Sequence, residues 1–167
     1  MDVRLRDVPE QFVVTEQRMV DQQGLEKWLP DAMARVHRAA GDAASGTADQ
    51  QHLERAGHAD EPTFIVIYEG NPNEGPCAVE VCAPLRSGAT VSDGAATRTI
   101  PAHREAYVRV TKSTVQSGGL GEIYPGIERW IDKKGFEVAA APRETYWTDF
   151  FNAADDAEVF DVAWPVR

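Results

Sequence analysis

The sequence predicts an α+β protein made of two copies of one strand-helix-strand-strand module, and the first observation behind this prediction is a repeated helix. Residues 24–30 and 119–125 share their Gly, Leu and Pro at a constant spacing of 95 positions. Apolar residues then recur at helical spacing up to a glycine, Gly41 in the first copy and Gly135 in the second. The pattern predicts an amphipathic helix that ends at a glycine in each half.

A proline lies within each predicted helix, Pro30 in the first and Pro125 in the second. Proline lacks the amide hydrogen that a helix interior needs, and it bends a helix that continues through it. Either both helices kink at the proline, or the regular part of each helix begins there.

The second observation is that the strands repeat as well. Residues 12–16 match 107–111 at the spacing of 95, residues 80–85 match 161–166 at a spacing of 81, and residues 64–69 and 144–149 form a third pair. The drop in spacing places extra residues in the first half, at 42–61. This segment is rich in Ala, Gly, Asp and Gln, so we expect a long exposed loop, either a lid over a pocket or free surface.

These repeats predict one domain over residues 1–167, with halves at about 1–85 and 98–167 and a linker at 86–97. We expect an antiparallel sheet with two main helices on one face and the other face free. The two copies should pair around a pseudo-twofold axis. A groove between the halves is then the natural ligand site.

Composition narrows the range of partners. Asp and Glu outnumber Lys and Arg by 27 to 17, which gives a net charge of −10. This balance argues against direct nucleic-acid binding and against docking on anionic lipid, whereas it suits a cationic ligand. The sequence has no apolar run long enough to span a membrane and no leader-like N-terminus, so we expect a cytoplasmic protein.

Cysteine and histidine give no sign of a metal or a cofactor. Cys77 and Cys82 form no CxxC pair, and their spacing places them on opposite faces of a strand, as reduced core thiols. His52 and His58 lie in the polar loop and are expected to be exposed, at a spacing that matches no metal motif. We therefore predict no metal site and no cofactor.

Two C-terminal segments carry a family resemblance. Residues 142–147 read Pro-Arg-Glu-Thr-Tyr-Trp, and residues 159–166 end in Trp-Pro-Val. Together with residues 64–69, 79–84 and 100–103, they resemble the GyrI-like small-molecule-binding family, whose superfamily includes the effector-binding domains of AraC-type and multidrug-sensing regulators. The resemblance covers about residues 3–166. Residues 111–119 depart from the family pattern at the start of the second helix.

The resemblance implies that Glu144 lies deep in a pocket among aromatic rings. Glu144 shares a strand face with Tyr146, whereas Trp147 has the opposite parity and is expected to pack under a helix. A buried carboxylate without a partner should have a raised pKa and should favour a cationic ligand. The expected ligand-binding residues are Glu144, Tyr146, Tyr107, Tyr68, Trp130 and Phe160, with a core position as the alternative for Trp130.

The sequence leaves more than one function open. The first is a stand-alone binding protein for an amphipathic, cationic drug or natural product. The alternative is a hydrolase that opens cyclopropane-bearing natural products, in which Glu144 activates water and Tyr146 polarises the leaving oxygen. A porphyrin-binding protein is a weaker third reading. We expect a monomer or homodimer, with a DNA-binding regulator or gyrase as a partner in trans.

Overall fold

The structure, a computed structural model, describes residues 1–55, 60–148 and 150–167, and the eight strands within these ranges form a single antiparallel sheet. The strand order is β1-β6-β8-β7-β3-β4-β2-β5. The strands are β1 (Arg4–Val8), β2 (Gln11–Val20), β3 (Phe64–Tyr68), β4 (Cys77–Pro84), β5 (Thr97–Ile100), β6 (His103–Thr111), β7 (Arg143–Tyr146) and β8 (Glu158–Val166). The predicted α+β fold class is therefore confirmed.

Two long helices, α1 (Gln22–Ala40) and α3 (Leu120–Lys134), lie on one face of the sheet, and a short helix, α2 (Lys112–Gln116), precedes α3. Both long helices end at a glycine with positive φ, Gly41 and Gly135, as predicted. Pro30 and Pro125 lie inside the helices, so neither helix begins at its proline. That alternative is wrong.

Each half has one more strand than the predicted module, and the two extra strands are exchanged between the halves. Strand β1 pairs with β6 of the second half, and β5 pairs with β2 of the first half. Residues 97–100, which include the end of the predicted linker, thus form an edge strand. The exchange ties the halves together because each half supplies an edge strand to the other.

The strand order is the same from either end once β1–β4 are exchanged with β5–β8, which confirms the pseudo-twofold relation. The strands β3 and β7 meet at its centre, where Val66 pairs with Glu144. Two registers differ from the sequence alignment, since Val66 rather than Phe64 is equivalent to Glu144, and β2 and β6 are also offset. Val13 and Glu105 occupy equivalent positions because each pairs with a proline, Pro84 and Pro165 respectively. The spacing of 95 that relates the helices is therefore too long by three residues for β2 and β6.

Residues 45–55 cover the sheet face that was expected to be free, while Ala43 and Ala44 pack against the core on the helix face. The prediction of a long exposed loop is therefore wrong for this described part. Three short 3₁₀ helices, Gly41–Ala43, Thr47–Asp49 and Gln51–Leu53, run through this region. Leu53 is fully buried. Gln11 donates to Gln50 at 2.6 Å, and Arg109 donates to the carbonyl of Leu53 at 2.6 Å. The segment is thus part of the core.

Truncation of Leu53 to alanine tests this role. We expect Leu53→Ala to lower the free energy of unfolding by about 2–5 kcal/mol, because a fully buried leucine leaves a cavity behind. Met19→Ala, at a largely exposed apolar position, should change it by less than about 0.5 kcal/mol. Urea denaturation measures both values. Equal effects would show that the segment does not pack on the sheet.

Beneath this segment lies a network of buried ion pairs. Asp161 is fully buried and accepts hydrogen bonds from Arg6 at 2.6 Å and from Arg109 at 2.9 Å. Glu105 pairs with Arg6 at 2.8 Å and with His103 at 2.9 Å. Burial raises the pKa of Glu105, but the His103 hydrogen bond and the Arg6 charge outweigh it and lower the value to about 2.

Two side chains near this network depart from their predicted positions. His52 is partly buried rather than exposed, and burial together with the Arg6 charge lowers its pKa to about 4. Trp147 packs on the face away from the helices, where the guanidinium groups of Arg55 and Arg109 lie 4.4 and 4.9 Å from its ring centre. His58 falls outside the described residues.

The cysteines are free and lie on opposite faces of β4, as their spacing predicts. Cys77 packs at the edge of the core on the helix face, and Cys82 is fully buried on the other face. Burial is the main cause that raises the pKa of Cys82, to about 12, so this thiol stays protonated.

Candidate functional site

A groove runs between the first halves of α1 and α3, above the two central strands, at the place where the two copies meet. It consists of two cavities of about 630 and 1030 Å³. Both cavities are lined by Leu29 of α1, Leu120 of α3, and Glu144 and Tyr146 of β7. The carboxylate of Glu144 therefore lies at the junction of the two cavities.

Glu144 is buried, with only 5% of its surface exposed. Its Oε1 accepts a hydrogen bond from the Tyr124 hydroxyl at 2.6 Å, and its Oε2 accepts one from the Tyr146 hydroxyl. Tyr68 adds a third, weaker hydroxyl contact. Within the described ranges no Lys, Arg or His forms an ion pair with Glu144. The tyrosines thus solvate this carboxylate without neutralising it.

The pKa values of this cluster follow from its burial. Removal from water raises the pKa of Glu144, and the hydrogen bonds from the three tyrosines only partly oppose this effect. Burial, and then the charge of Glu144, raise the pKa of Tyr68, Tyr124 and Tyr146 well above 10. The phenols therefore keep their protons and act as hydrogen-bond donors.

The raised pKa of Glu144 predicts a pH-dependent stability. Between the ordinary carboxyl pKa and the raised value, the folded protein binds more protons than the unfolded chain, so stability falls as pH rises through this window. Glu144→Gln removes the effect. We expect the variant to be more stable than the wild type by about 1 kcal/mol near neutral pH, with the difference shrinking as pH falls. Urea unfolding between about pH 4 and pH 7 measures it; a difference independent of pH would contradict the raised pKa.

The structure brings four of the six predicted site residues together. Tyr68 and Tyr146 flank Glu144, and Phe160 stacks on Tyr146 with ring centres 4.7 Å apart. Tyr68 and Tyr146 occupy equivalent positions in the two halves, since each lies two residues beyond the central pair of Val66 and Glu144. The tyrosine pair is therefore a product of the duplication.

Tyr107 and Trp130 lie away from this cluster. The neighbours of Tyr107 along β6 face the helices, so Tyr107 points to the opposite face, where Arg6 covers its ring at 3.9 Å. Trp130 lies on α3 and stacks against Phe136, with ring centres 6.5 Å apart. It is partly buried at the edge of the core and does not line the groove.

Tyr124 is the site residue that the sequence analysis missed. It lies within the apolar pattern of the second helix, which by itself does not indicate a site. The repeat contains a signal, however, because Tyr124 occupies the position of Leu29, directly before the proline in each copy. The two copies therefore differ in chemistry at this position, where one has an apolar side chain and the other has a phenol.

The two cavities differ in their lining. The smaller one, here called the apolar chamber, also carries Glu61 but is lined mainly by side chains without charge, among them Leu29, Met33, Phe64, Val115, Phe150 and Phe160. The larger one, here called the acidic chamber, carries Glu69, Glu74 and Glu128, and Glu26 lines both chambers. Among the described residues that line either chamber there is no Lys, Arg or His. The groove as a whole is therefore negatively charged.

Other kinds of site receive no support from the described residues. No group of three His, Cys, Asp or Glu side chains among them is arranged to hold a metal ion. Residues 117–119 form the turn between α2 and α3. In the part of the chain that the structure describes, none of the helices has the length and hydropathy needed to cross a membrane.

Comparison with known proteins shows the fold. Neither a family profile nor a curated protein sequence matches the chain. Among solved structures, the C-terminal domain of EcmrR superposes with a TM-score of 0.73 at 20% identity, over 99% of this chain and 97% of that domain. The chain spans 57% of the longer EcmrR chain in its complex with DNA.

Two further structures share the fold at lower identity. SAV2435 bound to tetraphenylphosphonium superposes with a TM-score of 0.55 at 12% identity, over 100% of this chain and 94% of that one. A hydrolase from Listeria innocua gives a TM-score of 0.61 at 11% identity, over 99% and 92%. The protein thus shares its fold with the EcmrR C-terminal domain and with SAV2435.

Proposed function

We propose that this protein binds a lipophilic cation, of the drug or natural-product type, in the groove between its halves, with Glu144 as the counterion. One observation carries the proposal: among the described residues, the buried carboxylate of Glu144 has no cationic partner, and no basic side chain lines either of the two chambers between which it lies. A buried charge costs free energy unless it is paired. A cationic ligand would supply the missing charge.

The rings around Glu144 suit the apolar part of such a ligand. Tyr146 and Phe160 are stacked, and Phe64 lines the same chamber. Aromatic faces attract a cation by about 0.5–2 kcal/mol each, in addition to the gain from apolar burial. SAV2435, which has the same fold, was solved with the lipophilic cation tetraphenylphosphonium, and this supports the choice of ligand class.

Tetraphenylphosphonium is the probe for this proposal. We expect it to raise the melting temperature of the protein once its concentration exceeds Kd. At a hundredfold excess over Kd, the free energy of unfolding should rise by about 2.7 kcal/mol. Triphenylphosphine oxide, which has similar rings but no net charge, should give a much smaller shift. A melting temperature that does not respond to either compound argues against a binding role in this groove.

A hydrolase is the second candidate, and the raised pKa of Glu144 favours it because an ionised carboxyl poised nearer neutrality is a better base. Glu144 would take a proton from water as the water oxygen attacks a cyclopropane carbon. The ring carbon–carbon bond breaks, and its electron pair moves to a conjugated carbonyl oxygen. A hydroxyl of Tyr124 or Tyr146 would stabilise that oxygen as it becomes an enolate, which is then protonated.

Mass spectrometry separates the two candidates. Incubation with a cyclopropane-bearing alkylator should yield its water adduct if the protein is a hydrolase, and Glu144→Gln should slow turnover by about 100-fold or more. Equal turnover by the variant and the wild type would remove Glu144 from the reaction. The regulator or gyrase partner in trans that the resemblance implies stays a prediction.

A further inference from the structure

The two chambers of the groove differ in polarity, and a simple lipophilic cation would occupy only one of them. Glu144 and its tyrosines separate the apolar chamber from the acidic chamber, and the acidic chamber is the larger of the two, at about 1030 Å³ against about 630 Å³. A ring system centred on a single charge would fill the apolar chamber and reach Glu144. The larger chamber would then hold only water.

Besides Glu26 and Glu144, which line both chambers, three carboxylates converge on the acidic chamber from separate elements. Glu69 follows the last residue of β3, Glu74 lies in the turn before β4, and Glu128 lies on α3, one helical turn beyond Tyr124. All three are exposed, and none forms an ion pair within the described ranges. Negative charges gathered around one cavity repel each other, and a bound cation relieves that repulsion.

We propose that the preferred ligand is a dication with unequal ends. A bulky aromatic cationic centre occupies the apolar chamber against Glu144, and a small hydrated ammonium or guanidinium group reaches the carboxylates of Glu69, Glu74 and Glu128. This inference rests on the proposed binding function. It adds that the ligand carries a second positive charge and has one apolar and one polar end. Tyr124 binds Glu144 directly, and Glu128 lies four residues further along α3. The two cationic centres should therefore be separated by roughly 6–10 Å, one to two helical turns.

The two ends of the ligand are attracted by carboxylates that differ in burial. Glu144 is buried, so its attraction for a cation acts in a medium of low dielectric and is weakly screened by salt. The three carboxylates of the acidic chamber are exposed, so each contributes modestly and is screened by salt. The gain in affinity from the second charge should therefore fall as ionic strength rises. The contribution of Glu144 to affinity should depend less on ionic strength.

Three matched ligands test the inference by calorimetry: hexyltriphenylphosphonium, the same molecule with a terminal ammonium, and the same molecule with a terminal hydroxyl. We expect the ammonium compound to bind about three- to tenfold more tightly than the hydroxyl compound at low salt, with the gain largely lost at about 0.5 M salt. In the variant Glu69→Gln/Glu74→Gln/Glu128→Gln the gain should disappear, while the affinity for hexyltriphenylphosphonium stays within about twofold. Glu122→Gln, on α3 but outside the groove lining, is the control.

The outcomes distinguish this inference from the proposed function. If the hydroxyl and ammonium compounds bind equally at low salt, the second cationic subsite is overturned and the binding function stands. If the gain persists in the triple variant, the ammonium group of the ligand is bound elsewhere and the inference is again overturned. If none of the three compounds binds, the proposed function fails and this inference fails with it.

Discussion

Replacement of Glu144 by glutamine is expected to weaken the binding of tetraphenylphosphonium by about a hundredfold, because the loss of one partner of a desolvated charge pair costs about 2–5 kcal/mol. The side chain keeps its shape, and Tyr124 or Tyr146 can still donate to the amide oxygen. The groove should therefore remain intact, and only the charge is lost. Calorimetry at neutral pH measures the affinities of the wild type and the variant.

The control for this experiment is Glu122→Gln, which removes one negative charge from an exposed position on the same helix as Tyr124. Its affinity should stay within about twofold of the wild type, because an exposed charge outside the groove is screened. A comparable loss in both variants would mean that the ligand responds to the net charge of the protein. Unchanged binding in Glu144→Gln would remove Glu144 as the counterion.

Replacement of Asp161 by alanine is expected to lower the free energy of unfolding by about 3–5 kcal/mol, the largest stability effect that the structure predicts. Asp161 is fully buried, and its loss would leave Arg6 and Arg109 without their shared carboxylate. Since Arg6 belongs to the exchanged strand β1, the substitution also weakens the hold of the second half on that strand. Urea denaturation of the purified variant measures the loss.

The duplication supplies a matched control for this prediction. Glu80 occupies the position of Asp161 in the first half and pairs with Arg98 of the exchanged strand β5 at 2.6 Å. The side chain of Arg98 is 39% exposed, so water can solvate it after Glu80→Ala. We expect a loss of about 1 kcal/mol there. Equal losses at Asp161 and Glu80 would contradict the view that burial sets the cost.

The sequence was sufficient for the helices and the inner strands of each half, because these elements carry their information locally. Apolar periodicity and the terminal glycines Gly41 and Gly135 place the helices. The parity of Glu144 and Tyr146 along one strand correctly puts both on the same face. Repetition of these local patterns then indicates the pseudo-twofold sheet.

The edge strands and the covering segment could not be predicted in the same way. Three of the five residues of strand β1 are charged, and only its pairing with β6 shows that Arg6 faces a buried carboxylate. Residues 42–55 have a polar composition, and their burial depends on contacts such as that of Gln50 with Gln11 across the sheet. Strand parity also gives two faces without saying which one the helices cover, which is why Trp147 was assigned to the wrong face.

The most direct test of the account is the titration of the Glu144 carboxyl carbon by NMR, with and without a saturating concentration of tetraphenylphosphonium. In the free protein, burial should hold the pKa of Glu144 above its ordinary value. A cation bound next to the carboxylate favours its charged form, so the account predicts that the pKa falls on binding, with release of protons near the free-state pKa. A pKa that is the same in the free and the saturated protein would contradict the central claim that Glu144 is the counterion of the ligand.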